Sequence, residues 1–274
     1  MAEKSNIQWC DATWNIARGC TKVDEDCKYC YMYRDSFDST RYNPLDVVRT
    51  KTVFEMPLKY KEAHSKCWHG KPLIFTCSLT DFFHEGCDRF RMEAWDIIRQ
   101  CPHLIFQILT KRPERIMECL PPYWDEIKGH VWMGTSVGST KGLKRMIELS
   151  WLDLGCLKFL SLEPLHQRVD LSTTKREIIG DEYHVLPAFD WIIVGGESGN
   201  ETGKSRYRPC ELEWIESIVK DCRRNQIPVF VKQMGTYLSK QMKLKDRHGG
   251  DISEFPEHLQ VREFPLIMNT QWLK

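Results

Sequence analysis

The sequence has almost no surplus of either charge: 39 lysines and arginines stand against 38 aspartates and glutamates, a formal net charge of +1. That balance argues against a general polyanion binder, so any basic patch has to be local. There is no run of about 18 apolar residues, which speaks against a transmembrane helix. The opening Met1-Ala2-Glu3-Lys4 lacks the apolar core of a secretion signal. Twelve cysteines in such a chain point to a reducing, cytoplasmic setting and away from a disulfide framework. There is no repeat with a period of about 20–50 residues and no low-complexity tract. No Gly-x-Gly-x-x-Gly follows the first apolar segment, so a dinucleotide-binding fold is disfavoured.

What the chain does have is a dense group of thiols. Cys20, Cys27 and Cys30 are spaced C-x6-C-x2-C, with Tyr29 and Tyr31 on either side of the last. An apolar segment from Thr13 to Ala17 leads in as a strand. The residues from Tyr31 to about Phe37 read as a helix, so the thiols fall on a loop between the two. Thiolate is the soft ligand that zinc and iron–sulfur clusters prefer. Structural zinc takes four ligands, and no fourth cysteine or histidine lies at close spacing: Cys10 is upstream, His64 and Cys67 well downstream. A four-iron cluster is usually held by four cysteines, so three leave one iron open to a substrate or cofactor. Two other readings stay open, a zinc site completed by a remote ligand and a set of ordinary buried cysteines.

Short apolar runs recur along the chain: 73–77, 104–109, 131–134, 157–160, 191–194 and 229–231. With the lead-in they make seven strands. Near-continuous apolar strands are those of a parallel sheet buried on both faces. Amphipathic segments fall between them, including Phe90 to Arg99 and Leu212 to Cys222, and strand–helix alternation reads as repeated βαβ units. The fold class is α/β, a parallel (βα) barrel, partial or full; an open doubly wound sheet is the alternative. Residues 1–238 form the barrel domain, residues 38–70 are an insertion over the site, and residues 239–274 are a C-terminal extension packed on the barrel.

Active sites of such barrels lie at the C-terminal strand ends. The polar residues there include Thr76, Ser78, Thr80 and Asp81, then Thr110, Lys111 and Arg112, then Ser136, Glu163, Glu197 and Lys232. Gly195-Gly196 before Glu197 suits close approach of backbone to a ligand. Lys111 and Arg112 suit a phosphate or carboxylate, and Arg206 and Arg208 around Tyr207 suit a phosphate surface.

The thiol run resembles the cluster motif of radical S-adenosylmethionine (SAM) enzymes, where three cysteines hold a [4Fe-4S] cluster and an aromatic residue precedes the third, as Tyr29 does. The family's commonest spacing is C-x3-C-x2-C, so the x6 gap departs from it. Further blocks extend the resemblance over most of the chain: Asn6-Ile7-Gln8-Trp9, Asp11-Ala12-Thr13-Trp14-Asn15, Leu109-Thr110-Lys111-Arg112-Pro113, Ser161-Leu162-Glu163-Pro164-Leu165 and Val194-Gly195-Gly196-Glu197-Ser198-Gly199. They are similar to a phage-associated family of radical-SAM-like proteins with a three-cysteine motif, for which no substrate is established. The resemblance implies a [4Fe-4S] cluster on Cys20, Cys27 and Cys30, with SAM on its open iron. It further implies reductive cleavage of SAM to a 5′-deoxyadenosyl radical, driven by an external flavodoxin- or ferredoxin-like reductant. On this reading Tyr29, Thr76, Ser78, Ser136 and Glu163 hold the cofactor. Lys111 and Arg112 face the substrate, a nucleic-acid base or nucleotide ahead of a peptide or small metabolite, and Glu197 faces either SAM or the substrate. Trp9 and Trp14 are expected to shield the cluster.

Overall fold

The computed structural model describes residues 5–33, 43–61, 71–178, 181–203 and 206–265. Seven of its strands form one sheet: β1 (Ala12–Trp14), β4 (Leu73–Thr76), β5 (Ile105–Thr110), β6 (Val131–Ser136), β7 (Leu157–Leu165), β10 (Trp191–Gly196) and β11 (Val229–Gln233). All neighbours in it are parallel. Their spatial order follows the chain without reversal. A doubly wound sheet reverses at a switch point, so this one is singly wound. It curls into a half-barrel with β1 and β11 as its edges. The seven expected strands are therefore all present, in partial-barrel form.

Two small antiparallel pairs stand apart. β2 (Ala17–Arg18) pairs with β3 (Val48–Arg49) and holds the insertion beside the start of the cysteine loop. The lead-in strand thus breaks after Trp14, and its second half belongs to this ribbon. β8 (Lys175–Ile178) and β9 (Asp181–His184) form a hairpin between β7 and β10. Of the helix expected at Tyr31 to Phe37, Tyr31–Tyr33 is one 3-10 turn; residues 34–37 lie outside the described residues, as do 38–42 and 62–70 of the insertion.

The sheet is buried on both faces. On the convex side α1 (Asp88–Gln100), α3 (Leu143–Trp151) and α4 (Leu212–Arg224) pack against Ile74, Phe106, Met133, Leu160, Ile192 and Val231, and the short α2 (Trp124–Ile127) joins the same layer. On the concave side Leu73, Ile105, Trp132, Phe159, Trp191 and Phe230 form a separate aromatic floor with Trp9. The tryptophans meet edge to face, Trp191 lying 6.3 Å from Trp9 and 5.7 Å from Trp132, the geometry their quadrupoles favour. Trp14 belongs to the convex layer, where its indole N–H donates to the Phe54 carbonyl at 2.9 Å.

Gly134 makes this floor possible. A Cβ there would stand 2.4 Å from the ring of Phe159, so the ring occupies the volume of the missing side chain. Gly134→Ala is expected to destabilise the fold by about 1–3 kcal/mol through overpacking, read as a lower denaturation midpoint in urea.

The C-terminal segment finishes the half-barrel at its β11 edge. Val231 N–H donates to Val261 and Glu263 N–H to Val229, at 2.9 and 3.0 Å. Phe264 stacks on Trp191 at 5.5 Å. An unpaired edge is thereby covered. The extension begins inside a helix, α5 (Gly235–Gln241), which contains Ser239. No helix among the described residues is long and apolar enough to cross a membrane.

Candidate functional site

The C-terminal ends of the strands and the cysteine loop enclose one cavity of about 420 Å³, within the range usual for small-molecule sites. Ile7, Trp9, Phe75 and Leu109 line its depth; Ser136, Ser161, Glu163 and Lys232 line its wall; Cys20, Cys27, Cys30 and Tyr29 line its roof.

The roof is built from local turns. Gly19 has φ +100, and a Cβ there would meet the Asp46 carbonyl oxygen at 2.0 Å; only glycine fits where the insertion crosses the loop. Thr80 Oγ1 donates to the Gly19 carbonyl at 2.6 Å. Asp24 then caps a 3-10 turn (Glu25–Cys27), its carboxylate accepting the Asp26 N–H at 2.9 Å. Cys30 N–H donates to the Cys27 carbonyl at 3.4 Å, and Tyr33 N–H to the Cys30 carbonyl at 3.1 Å. This run of turns sets Cys27 and Cys30 on the same cavity. The Tyr33 hydroxyl donates to the Cys20 carbonyl at 2.6 Å and ties the first cysteine to the third turn.

Two buried carboxylates bolt the roof to the sheet. Asp26 accepts from Gly138 N–H at 3.0 Å, from Arg145 Nη2 at 2.5 Å, and pairs with His166 Nε2 at 2.7 Å. Arg145 also donates to Asp24 and, at 2.9 Å, to the Ser136 carbonyl. Burial opposes the Asp26 charge, but His166, the Gly138 amide and Arg145 outweigh it and hold the carboxyl well below the usual range. Asp81 plays the matching part at the other end: it accepts from Thr110 Oγ1 (2.7 Å), Lys111 N–H (2.8 Å), Phe83 N–H (3.0 Å) and Arg112 Nη1 (3.3 Å). Neither role is visible in composition. The acidic run Asp24-Glu25-Asp26 inside the x6 gap was the available signal for the first.

The strand-end residues divide. Ser78, Ser136, Glu163, Glu197, Lys111 and Arg112 all line the cavity with the three cysteines and Tyr29. Thr76 does not: it is fully buried, its hydroxyl donating to the Ile74 carbonyl at 3.2 Å. Its strand neighbour Phe75 takes the concave face, and alternate residues of a strand point to opposite faces; the alternation ends at Cys77, whose φ is +68. Arg112 does not present a free guanidinium to a substrate either; it is buried, bonded to Asp81, to Thr21 and to the Cys20 sulfur. Glu197 is clasped by Arg208, which donates from Nε and Nη2 at 2.8 Å each. Arg208 then reaches the Glu25 carbonyl at 2.7 Å and lies 5.6 Å over the Tyr29 ring. The arginine expected at a phosphate surface thus spans strand end and roof. Gly196 receives backbone, not ligand: a Cβ would meet the Met234 carbonyl oxygen at 2.2 Å.

The donor set fits a thiolate-bound group. Each lining carboxylate has a charged partner: Asp26 with Arg145, Asp81 with Arg112, Glu163 with Lys232, Glu197 with Arg208. His166 is engaged by Asp26 and His84 by Thr21 and the Gly86 amide. The thiols of the cavity are those of the roof and Cys77, and Met32 adds a thioether. Among the described residues no three Cys, His, Asp or Glu side chains are gathered at ligating distance; the roof thiols share the cavity from separate turns. Burial, and then the Asp81 carboxylate, pushes the Cys20 thiol up to about 11, with Arg112 acting the other way.

A half-barrel with a three-thiol roof defines the class of molecule. The chain belongs to the family described as "Protein of unknown function (DUF5131)", whose family model matches residues 4–259. No curated protein and no solved structure matches it.

Proposed function

We propose that the chain is a radical SAM enzyme, a cytoplasmic protein that modifies a nucleic-acid base or nucleotide. The single observation that carries this is the meeting of three roof thiols with a ring of strand-end hydrogen-bonding groups on one cavity. Cys20, Cys27 and Cys30 would hold a [4Fe-4S] cluster. With SAM bound and an electron from a flavodoxin- or ferredoxin-like donor, that cluster supplies reductive carbon–sulfur cleavage to a 5′-deoxyadenosyl radical.

The chain's own residues bind, orient and exclude water. Ser78, Ser136 and Glu163 offer hydroxyls and a carboxylate to the amino acid and ribose parts of SAM. Lys232 pairs with Glu163 and fixes its carboxylate at the cavity wall. Trp9, Phe75 and Leu109 keep the depth of the cavity dry. Lys111 is the cation of the cavity lining that has no carboxylate partner among the described residues, so its ammonium suits a substrate phosphate. Tyr29, with Lys28 at 5.3 Å and Arg208 at 5.6 Å from its ring centre, offers a face on which a base can stack.

The test is anaerobic reconstitution followed by SAM and dithionite, with chromatographic detection of 5′-deoxyadenosine. The expected result is slow release of 5′-deoxyadenosine without substrate. Glu163→Ala and Ser136→Ala should weaken SAM binding with the cluster retained. Lys111→Ala should leave that slow release unchanged and raise the KM for a nucleotide or oligonucleotide substrate. A fully loaded cluster that gives no 5′-deoxyadenosine, and whose EPR spectrum ignores SAM, would reject the reading.

Cys77 favours one second reading, a non-enzymatic four-thiol zinc or iron–sulfur module associated with nucleic acid. It is a fourth cysteine on the same cavity, at φ +68. Burial raises its thiol well above the ordinary value, which opposes ligation. Stoichiometric zinc without labile sulfide, lost in Cys77→Ala, would favour this module.

A further inference from the structure

We propose that Arg112 and Asp81 are an opposed charge pair that sets the reduction potential of the cluster through Cys20, an inference that rests on the cluster reading above. Arg112 Nη1 lies 3.9 Å from the Cys20 sulfur, and its Nη2 donates to the Thr21 carbonyl and hydroxyl at 3.1 and 2.8 Å. Its backbone N–H donates to Thr110 Oγ1 at 2.9 Å. The side chain is 8% exposed. Held at backbone and fork, the guanidinium cannot swing away from the sulfur.

Reduction adds one electron to the cluster, and part of that charge falls on the ligand sulfurs. A fixed positive donor beside one sulfur stabilises the reduced form and raises the potential; hydrogen bonds to cluster sulfurs act in the same sense. Asp81 opposes this, being a carboxylate near the same thiol. Its field is blunted, because its oxygens accept from Thr110, Phe83, Lys111 and Arg112. The guanidinium is the group in direct contact with the sulfur, and the carboxylate acts on the same sulfur with the opposite sign. An arginine immediately after Lys111 therefore serves the cluster, while the lysine serves the cavity.

The test is potentiometric titration of the reconstituted chain followed by EPR, with iron and sulfide measured in each sample. Arg112→Gln is expected to make reduction at least tenfold less favourable, a fall of about 59 mV for one electron. Arg112→Lys keeps the charge and should fall by less. Asp81→Asn keeps an acceptor oxygen, loses the charge, and should move the potential upward. A purely structural role would lose cluster in every variant or shift all three in one direction. If Arg112→Gln loads poorly, Arg112→Lys and Asp81→Asn still give the opposed signs. Unmoved potentials, or shifts of the same sign, in fully loaded variants overturn this inference alone. A wild-type chain that takes up no iron and sulfide overturns the cluster reading and this inference with it.

Discussion

Replacing Cys20, Cys27 or Cys30 by alanine is expected to abolish the visible iron–sulfur absorbance of the anaerobically reconstituted chain and, with it, all 5′-deoxyadenosine release. Cys101→Ala and Cys222→Ala should leave both intact. All five residues are cysteines, yet their surroundings differ in kind. Cys101 and Cys222 are wholly buried in the layer between sheet and helices, where a thiol acts as a small hydrophobe. Cys20, Cys27 and Cys30 stand on turns that open to the cavity. Losing one of three ligands leaves two irons of the cluster without protein sulfur, so the effect should be near total rather than graded. Iron and labile sulfide analysis reads it directly. A triple alanine variant that still holds four irons would sink the assignment.

The unequal legibility of this chain has physical causes. Strands β4 to β7, β10 and β11 were readable because a parallel sheet covered on both faces demands unbroken apolar runs. The same lack of alternation hid the parity of those strands. In Leu73-Ile74-Phe75-Thr76-Cys77 nothing in the pattern says which face Thr76 takes, and it lies buried away from the cavity that Ser78 lines. The β8–β9 hairpin left no trace for the opposite reason: β9 is exposed throughout, so no face of it is selected for burial. The roof was legible as three thiols but not as a clamped structure. Its clamps join Asp26 to Arg145 and Arg112 to Thr21, 119 and 91 residues apart in the chain, distances over which spacing carries no signal. The strand-end position of Arg112 was readable, and its partners Asp81, Thr21 and the Cys20 sulfur were not.

Asp26→Ala is expected to lower the stability of the fold by about 3–5 kcal/mol, the usual cost of breaking a buried ion pair by removing one partner, and to cut cluster incorporation sharply. The side chain is 1% exposed, and it gathers Arg145, His166 and the Gly138 amide. Alanine supplies no acceptor for any of them and leaves a buried guanidinium with only Asp24 and the Ser136 carbonyl. The sheet should survive, because its strands are held by the two apolar layers; far-UV circular dichroism should therefore be nearly unchanged below the unfolding transition. Adding Arg145→Met removes the guanidinium that has lost its closest buried partner, and because Asp24 then loses its own ion pair only part of the stability should return. It should not recover the cluster, since the tie between the roof and the β6–α3 turn is still missing. That split separates the two consequences of one carboxylate: its charge balance contributes to the fold, and its position holds Cys27 over the cavity. An Asp26→Ala chain that unfolds at the parent's urea midpoint and loads a full complement of iron would show that the roof is held by its own turns alone.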